Sequence, residues 1–188
     1  MIDLELDEEQ RMIQDSIGSF ADERIRPAAH EADEKSAIPH ALIEQGWALG
    51  IVQGAVPEAY GGYGQDGAAS AITGTVIAEA MAEGDLAIAM HLLSPRLIVD
   101  AVACLGNEEQ KKRLLPDYCG ESFVAGSAAL LEPAWDFDVS AMSTRARREG
   151  EDWVIDGHKC YVALADEAPR ILVYARDEED TVGAFLVE

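Results

Sequence analysis

Basic residues are scarce in this sequence. Its 188 residues hold 14 Lys and Arg against 36 Asp and Glu, a formal net charge of −22. Nucleic-acid backbones and anionic membrane surfaces reward a basic face, so neither is expected as a partner. The acid surplus is explained by self-repulsion that keeps the chain dispersed. Cysteine is scarce too. Cys104, Cys119 and Cys160 are odd in number, far apart and form no C-x-x-C pair. That pattern predicts a reducing, cytoplasmic setting. His30, His40, His91 and His158 lack metal-ligand spacing, so no metal site is expected. Met1-Ile2-Asp3-Leu4-Glu5 has no basic n-region and no apolar run, so no signal peptide is expected. Long apolar runs are missing as well. The most apolar stretch, Leu86 to Leu105, is interrupted by His91, Arg96 and Asp100. It reads as a buried helix pair, not a membrane span.

Hydrophobic residues nevertheless make up 48% of the chain, enough for a sizeable core. Asp7-Glu8-Glu9-Gln10 has capping-box form. Ile13, Ile17, Phe20 and Ala21, with Ile25 near the same face, then predict a helix. Pro27 is expected to kink or break it, and Ser36-Ala37-Ile38-Pro39 to end any helix continuing beyond Pro27. A short helix is expected from Pro39 to about Trp47, closed by Gly46 and Gly50. Val56 to Gly64 is a glycine-rich loop. It has neither the strand-then-helix setting of a dinucleotide fingerprint nor the Lys-Ser/Thr end of a P-loop, so a tight turn with positive φ is expected. Trp47, Tyr60 and Tyr63 read as packing residues. Asp66 to Glu83 is Ala-rich and helical, with Gly84 as its C-cap and Asp85 starting the next helix. Leu86 to Leu93 is apolar all round and is expected at the centre of a bundle. Leu97, Ile98, Ala101, Val102 and Leu105 continue the helix beyond Pro95, and Cys104 and Cys119 read as core or interface thiols. Asn107 to Arg113 places acids first and bases last, the order a helix dipole favours.

From Phe123 the period changes from helical to alternating. Phe123–Ala128, Trp153–Ile155, Ile171–Ala175 and Val182–Val187 read as strands, with turns at Glu149–Asp152 and Asp177–Asp180. Asp156-Gly157 is a hairpin signal, with His158 to Leu164 as the return strand. Arg145, Arg147 and Arg148 form the one basic cluster, either a solvated face or a site for phosphate. Helices followed by strands predict an α+β multi-domain chain: an all-α helical bundle over residues 1–120, then an all-β sandwich or barrel-like domain over 121–188. The last strand has no turn, cap or polar tail after it, so a longer protein is expected.

Several stretches carry a resemblance. Pro57-Glu58-Ala59-Tyr60-Gly61-Gly62 is followed by Gly106-Asn107-Glu108-Glu109-Gln110-Lys111, then Gly120-Glu121, Glu132-Pro133, Asp138-Val139 and Asp156-Gly157-His158-Lys159. In this order and spacing they resemble the acyl-CoA dehydrogenase family across the whole chain. The resemblance implies an α-bundle, a middle β-domain, and a second α-bundle that supplies a glutamate base and has no counterpart in this sequence, so no catalytic residue is expected here. It implies α,β-dehydrogenation of an acyl-CoA thioester, with FAD taking the hydride and an electron-transferring flavoprotein taking the electrons.

The resemblance also implies two flavin-binding segments, and this sequence departs in both. The family pattern Thr-Glu-Pro-x-x-Gly-Ser-Asp meets Leu131 at Thr, Asp136 at Gly and Phe137 at Ser; Glu132, Pro133 and Asp138 remain. The second pattern, Lys-x-aromatic-Ile-Thr-Asn, meets Lys159-Cys160-Tyr161-Val162-Ala163-Leu164, with Ala163 in place of Thr. Each lost hydrogen bond costs roughly 0.5–1.5 kcal/mol, and a ring and a carboxylate at Phe137 and Asp136 oppose a pyrophosphate. By resemblance the flavin-facing positions are Leu130, Leu131, Phe137, Tyr161 and Ala163, and the substrate-facing ones Leu92, Leu93 and Asp138. Three roles stay open. One is a complete flavoenzyme when full length. Another is the non-flavin subunit of a hetero-oligomer with a catalytic acyl-CoA dehydrogenase homologue, the resemblance implying a homo- or hetero-oligomer in general. The alternative is a non-catalytic pseudoenzyme that binds acyl-CoA or scaffolds an oligomer.

Overall fold

The computed structural model describes residues 5–64 and 68–188. The chain divides into two compact units, Met1–Phe123 and Val124–Glu188, a few residues past the boundary expected from the sequence. The N-terminal peptide Met1–Leu4 and the expected helix start at Asp66 lie outside the described residues.

The first unit is helical. Helix α1 (Glu8–Phe20) starts on the capping box: Asp7 accepts from the Gln10 amide at 2.8 Å, and Gln10 Oε1 accepts from the Asp7 amide at 3.2 Å. A π-turn, Ala21–Ile25, joins it to α2 (Arg26–Lys35). Pro27 lacks an N–H and its ring crowds the preceding turn; the widened turn absorbs both, so the rod is re-aimed and not broken. Ala21 and Ile25 on this turn are 2% and 0% exposed. Helix α3 (His40–Ala48) uses Pro39 as an extended N-cap, and α4 spans Ala68–Gly84.

Gly84 is not in the left-handed conformation of a C-cap glycine. A Cβ there would sit 3.0 Å from Ile25 and 3.1 Å from Ala21, so it is small because α4 crosses the π-turn closely. Helix α5 (Leu86–Leu93) comes next, capped by Asp85 at 2.9 Å. It buries Ile88, Ala89 and Leu92, but Leu86 and Met90 are exposed. Its uniform apolarity therefore conceals a one-faced helix within this unit. Helix α6 (Arg96–Leu105) ends near Cys104, which is exposed and not a core thiol. Among the described residues no single helix is long and apolar enough to cross a membrane; α5 and α6 together pass by length and composition but are bent by 45°. A second full capping box, Asn107 with Gln110, starts α7 (Glu108–Leu114). Ile17, Ile25, Met81, Ile88 and Leu92 lie in one core. In the glycine-rich loop only Gly61 has positive φ, at 97°; at Gly62 a Cβ would come within 2.1 Å of the Val56 carbonyl oxygen.

The second unit is a mixed sheet. Strand β4 (Ile171–Arg176) pairs antiparallel with β5 (Val182–Val187) along its whole length. Its other edge takes β1 (Ser127–Ala129) in parallel, then the start of β2 (Arg145–Glu149), at Arg145 opposite Arg176. Strand β2 turns through Gly150, at φ 65°, into β3 (Asp152–Asp156). Asp156-Gly157 is not a hairpin turn, and His158 to Leu164 is not a strand. Strand β3 ends the sheet at Asp156, opposite Arg145 of β2, and the chain leaves the sheet there. A Cβ on Gly157 would lie 2.5–2.7 Å from Thr144, so that glycine permits close approach and does not make a turn.

The π-turn makes a direct prediction. Ile25→Ala is expected to lower the unfolding free energy in urea by about 2–5 kcal/mol, because the cavity opens where α1, α2 and α4 meet.

Candidate flavin-clamp site

In the β unit, two backbone stretches are tied together around one carboxylate. Glu132 is 7% exposed. Its Oε2 accepts from the Ser143 amide and hydroxyl, both at 2.6 Å. Its Oε1 accepts from the Thr144 amide at 2.8 Å and hydroxyl at 2.5 Å. Lys159 Nζ donates to the same Oε1 at 3.1 Å and to the Leu130 carbonyl at 3.0 Å, with the Met142 sulfur at 3.7 Å. A carboxylate taken out of water is tolerated when its lone pairs and charge are all answered. Burial pushes the Glu132 carboxyl up, but the hydroxyls and amides of Ser143 and Thr144 outweigh it and hold the group well below the ordinary value of 4.5.

The second stretch runs on from Lys159 alongside the first. The Cys160 amide donates to the Leu131 carbonyl at 3.0 Å, and the Ser127 hydroxyl donates to the Ala163 carbonyl. Within it, Tyr161 and Leu164 hold φ of 54° and 53°, the left-handed region that side chains disfavour. Arg145 pairs with Asp180, Arg147 with Glu149, and Arg148 stacks over Trp153 at 5.8 Å, so each of the three is engaged locally, on alternating faces of β2.

The residues singled out by resemblance are spread over both units. Leu130, Phe137 and Ala163 are half-buried, Leu131 is exposed, and Tyr161 is 91% exposed. Asp138 is exposed and turned inward on its own chain. Its Oδ1 accepts from the Ser140 hydroxyl at 2.7 Å and amide at 2.8 Å, which lower its carboxyl. Leu92 and Leu93 belong to the helical unit. Leu92 is in the core against Gly46, where a Cβ would clash at 2.7 Å, and Leu93 packs on that core. The outward apolar side chains of that region are instead Leu86, Met90 and Leu97. The sequence pattern gave no sign of Trp135, fully exposed beside the clamp, or of the pairing of Lys159 with Glu132. A lysine leading the otherwise apolar run Cys160–Leu164 was the available signal for a buried partner.

The family description for the acyl-CoA dehydrogenase N-terminal domain matches residues 7–122. The chain belongs to the acyl-CoA dehydrogenase family. It is 33% identical over 187 residues to cyclohex-1-ene-1-carbonyl-CoA dehydrogenase of Geobacter metallireducens, covering 97% of this chain and 48% of that protein. It is 30% identical over 177 residues to a probable mitochondrial medium-chain specific acyl-CoA dehydrogenase 2 of Caenorhabditis briggsae, covering 94% and 42%. Among solved structures it is similar to a glutaryl-CoA dehydrogenase from Mycobacterium smegmatis in complex with FADH2. That match has a TM-score of 0.79 at 27% identity, over 97% of this chain and 46% of that one. The chain thus spans about half the length of the relatives it matches.

A family flavin fits the side chains of this clamp poorly. The positions where the family pattern places hydroxyls hold Leu131, Phe137 and Ala163. The hydroxyls that are nearby are committed: Ser127 to Ala163, Ser140 to Asp138, and Ser143 and Thr144 to Glu132. What remains to meet a ring system is backbone, apolar surface and the exposed Tyr161 phenol.

The network predicts a pH signature. Because the folded-state Glu132 value lies below the unfolded one, ionisation favours the folded chain. Its stabilisation is present above about pH 4.5 and is withdrawn as pH falls through the lower folded value. Glu132→Gln is expected to cost about 3–5 kcal/mol at neutral pH, since it leaves Lys159 buried without its charge partner. In urea titrations the gap between wild type and variant should narrow as the solution is acidified below that range.

Proposed function

We propose that this chain forms the N-terminal helical domain and the first part of the middle β-domain of an acyl-CoA dehydrogenase-type protein, and that it serves as the non-flavin subunit of a hetero-oligomer. A flavin-bearing homologue supplies FAD and the base. This chain supplies a folded helical wall and an apolar clamp face beside the acyl-CoA. An electron-transferring flavoprotein is the acceptor for the assembly, and a reducing compartment such as the cytoplasm suits three free cysteines. The observation that carries this reading is a clamp whose backbone ties persist while its contact positions are Leu131, Phe137 and Ala163.

The chemistry of dehydrogenation needs a dry, preorganised site in which the α-proton and β-hydride leave together. Apolar side chains exclude water well but offer nothing to the flavin's polar edge. A subunit of this kind contributes shape and dryness, not redox chemistry.

The test is the visible flavin absorbance of the purified protein, alone and mixed with a flavin-bearing homologue. The expected result is a colourless protein alone and a yellow complex with the homologue. A yellow protein alone overturns the reading. A colourless protein that forms no complex points to the scaffold or acyl-CoA-binding pseudoenzyme. Restoring hydroxyls with Leu131→Thr, Phe137→Ser and Ala163→Thr together is expected to raise FAD affinity by at least about tenfold, as three regained hydrogen bonds allow.

A further inference from the structure

Of the three tryptophans in this chain, two are engaged within it. Trp47 meets Phe123 edge-on and donates to the Gly120 carbonyl at 2.9 Å. Trp153 packs on Phe185 at 5.1 Å and takes the Arg148 guanidinium over its ring. Trp135 lies in the turn between Pro133 and Phe137. It is fully exposed and has no ring contact or hydrogen bond among the described residues. Indole is a large apolar surface, and exposed apolar surface that is contiguous marks an interaction site. Leu131 and Val139, each 43% exposed, extend that surface along the same stretch.

The second clamp stretch adds Tyr161. Its ring is almost wholly in solvent, and its backbone is held at φ 54°. Strain of that kind gathers at ligand clamps and contact sites. The Cys160 amide on the Leu131 carbonyl sets this stretch against the one that carries Trp135. The charge of both stretches is one-sided. Residues 131–141 and 160–168 contain no Lys or Arg. Asp136, Asp138, Asp166 and Glu167 are exposed on them. Lys159, just before the second stretch, is buried and committed to Glu132.

We infer that this aromatic, acidic face docks an arginine-bearing basic surface of the flavin-bearing homologue, with Trp135 as the anchor. The electron-rich faces of indole and phenol attract a guanidinium, and carboxylates beside them answer its charge. Large aromatics are also the side chains that dominate binding at interfaces. A second copy brings the same acids on a chain of net charge −22, so self-association through this face is opposed. The inference rests on the hetero-oligomer reading and adds which surface of this chain makes the contact.

Surface plasmon resonance of the full chain on the immobilised homologue tests it, with acrylamide quenching of tryptophan emission as a second readout. Saturable binding that weakens as sodium chloride is raised is expected. Trp135→Ala is expected to weaken it by about thirtyfold or more. The circular dichroism of that variant should match the wild type, because the exposed ring supports no core. Asp166→Lys with Glu167→Lys is expected to weaken binding by about tenfold or more, chiefly by slowing association. Acrylamide quenching is expected to fall when the homologue is added. If Trp135→Ala does not fold, the charge-reversed variant and the quenching still decide. Binding unchanged in a folded Trp135→Ala or in the charge-reversed variant, or quenching unchanged in the complex, overturns the inference and leaves the hetero-oligomer reading standing. No complex at all overturns both. Self-association that Trp135→Ala abolishes also overturns the inference, since the occupant is then a second copy.

Discussion

One buried carboxylate organises the β unit. Glu132 gathers Ser143, Thr144 and Lys159, and through Lys159 it reaches back to the Leu130 carbonyl of its own segment. These contacts join three parts of the chain that are far apart in sequence. The stretch after β1, the entry to β2 and the irregular segment after β3 all meet at its two oxygens. Ion pairs of this kind are weak evidence for net stability, because desolvation offsets the attraction. What they impose is register. A shift of either stretch by one residue leaves a charge buried without a partner, which is far costlier than a misplaced methyl.

This separates the scaffold of the clamp from its chemistry. Glu132, Pro133 and Lys159 shape the backbone of the clamp. Leu131, Phe137 and Ala163 are carried on that backbone. Scaffold residues answer to the interior, where one unpaired group is penalised heavily. Contact residues answer only to the ligand. Contact positions can therefore change to apolar residues while the scaffold stays.

Local signals in the sequence were legible where chemistry is local. The Asp7–Gln10 capping box is formed as written. The change from helical to alternating period after Phe123 marks the change of architecture. Glycine was the less legible residue. Gly84, Gly157 and Gly62 read as a cap, a hairpin turn and a positive-φ turn residue. Each is small because another segment passes close by: the π-turn, Thr144 and the Val56 carbonyl. A glycine's local conformation can be guessed from its neighbours, but a close approach depends on residues far along the chain. The same limit hid the pairing of Lys159 with Glu132, which are 27 residues apart. It also hid the burial of Leu92, because an all-apolar helix does not declare which face is inward.

Tyr161 and Leu164 give the second clamp stretch a distinct dynamic character. Left-handed backbone costs a side-chain-bearing residue roughly 1–2 kcal/mol, and here two such residues lie within one short segment. That segment has no ladder of strand hydrogen bonds to spread the cost; it is held by the ties from Cys160 to Leu131 and from Ser127 to Ala163 and by the Glu167 and Ala168 amides on the Leu164 carbonyl. Opening it relieves strain that opening β4 or β5 does not. The amides of this segment are therefore expected to exchange with solvent ahead of those in β4 and β5.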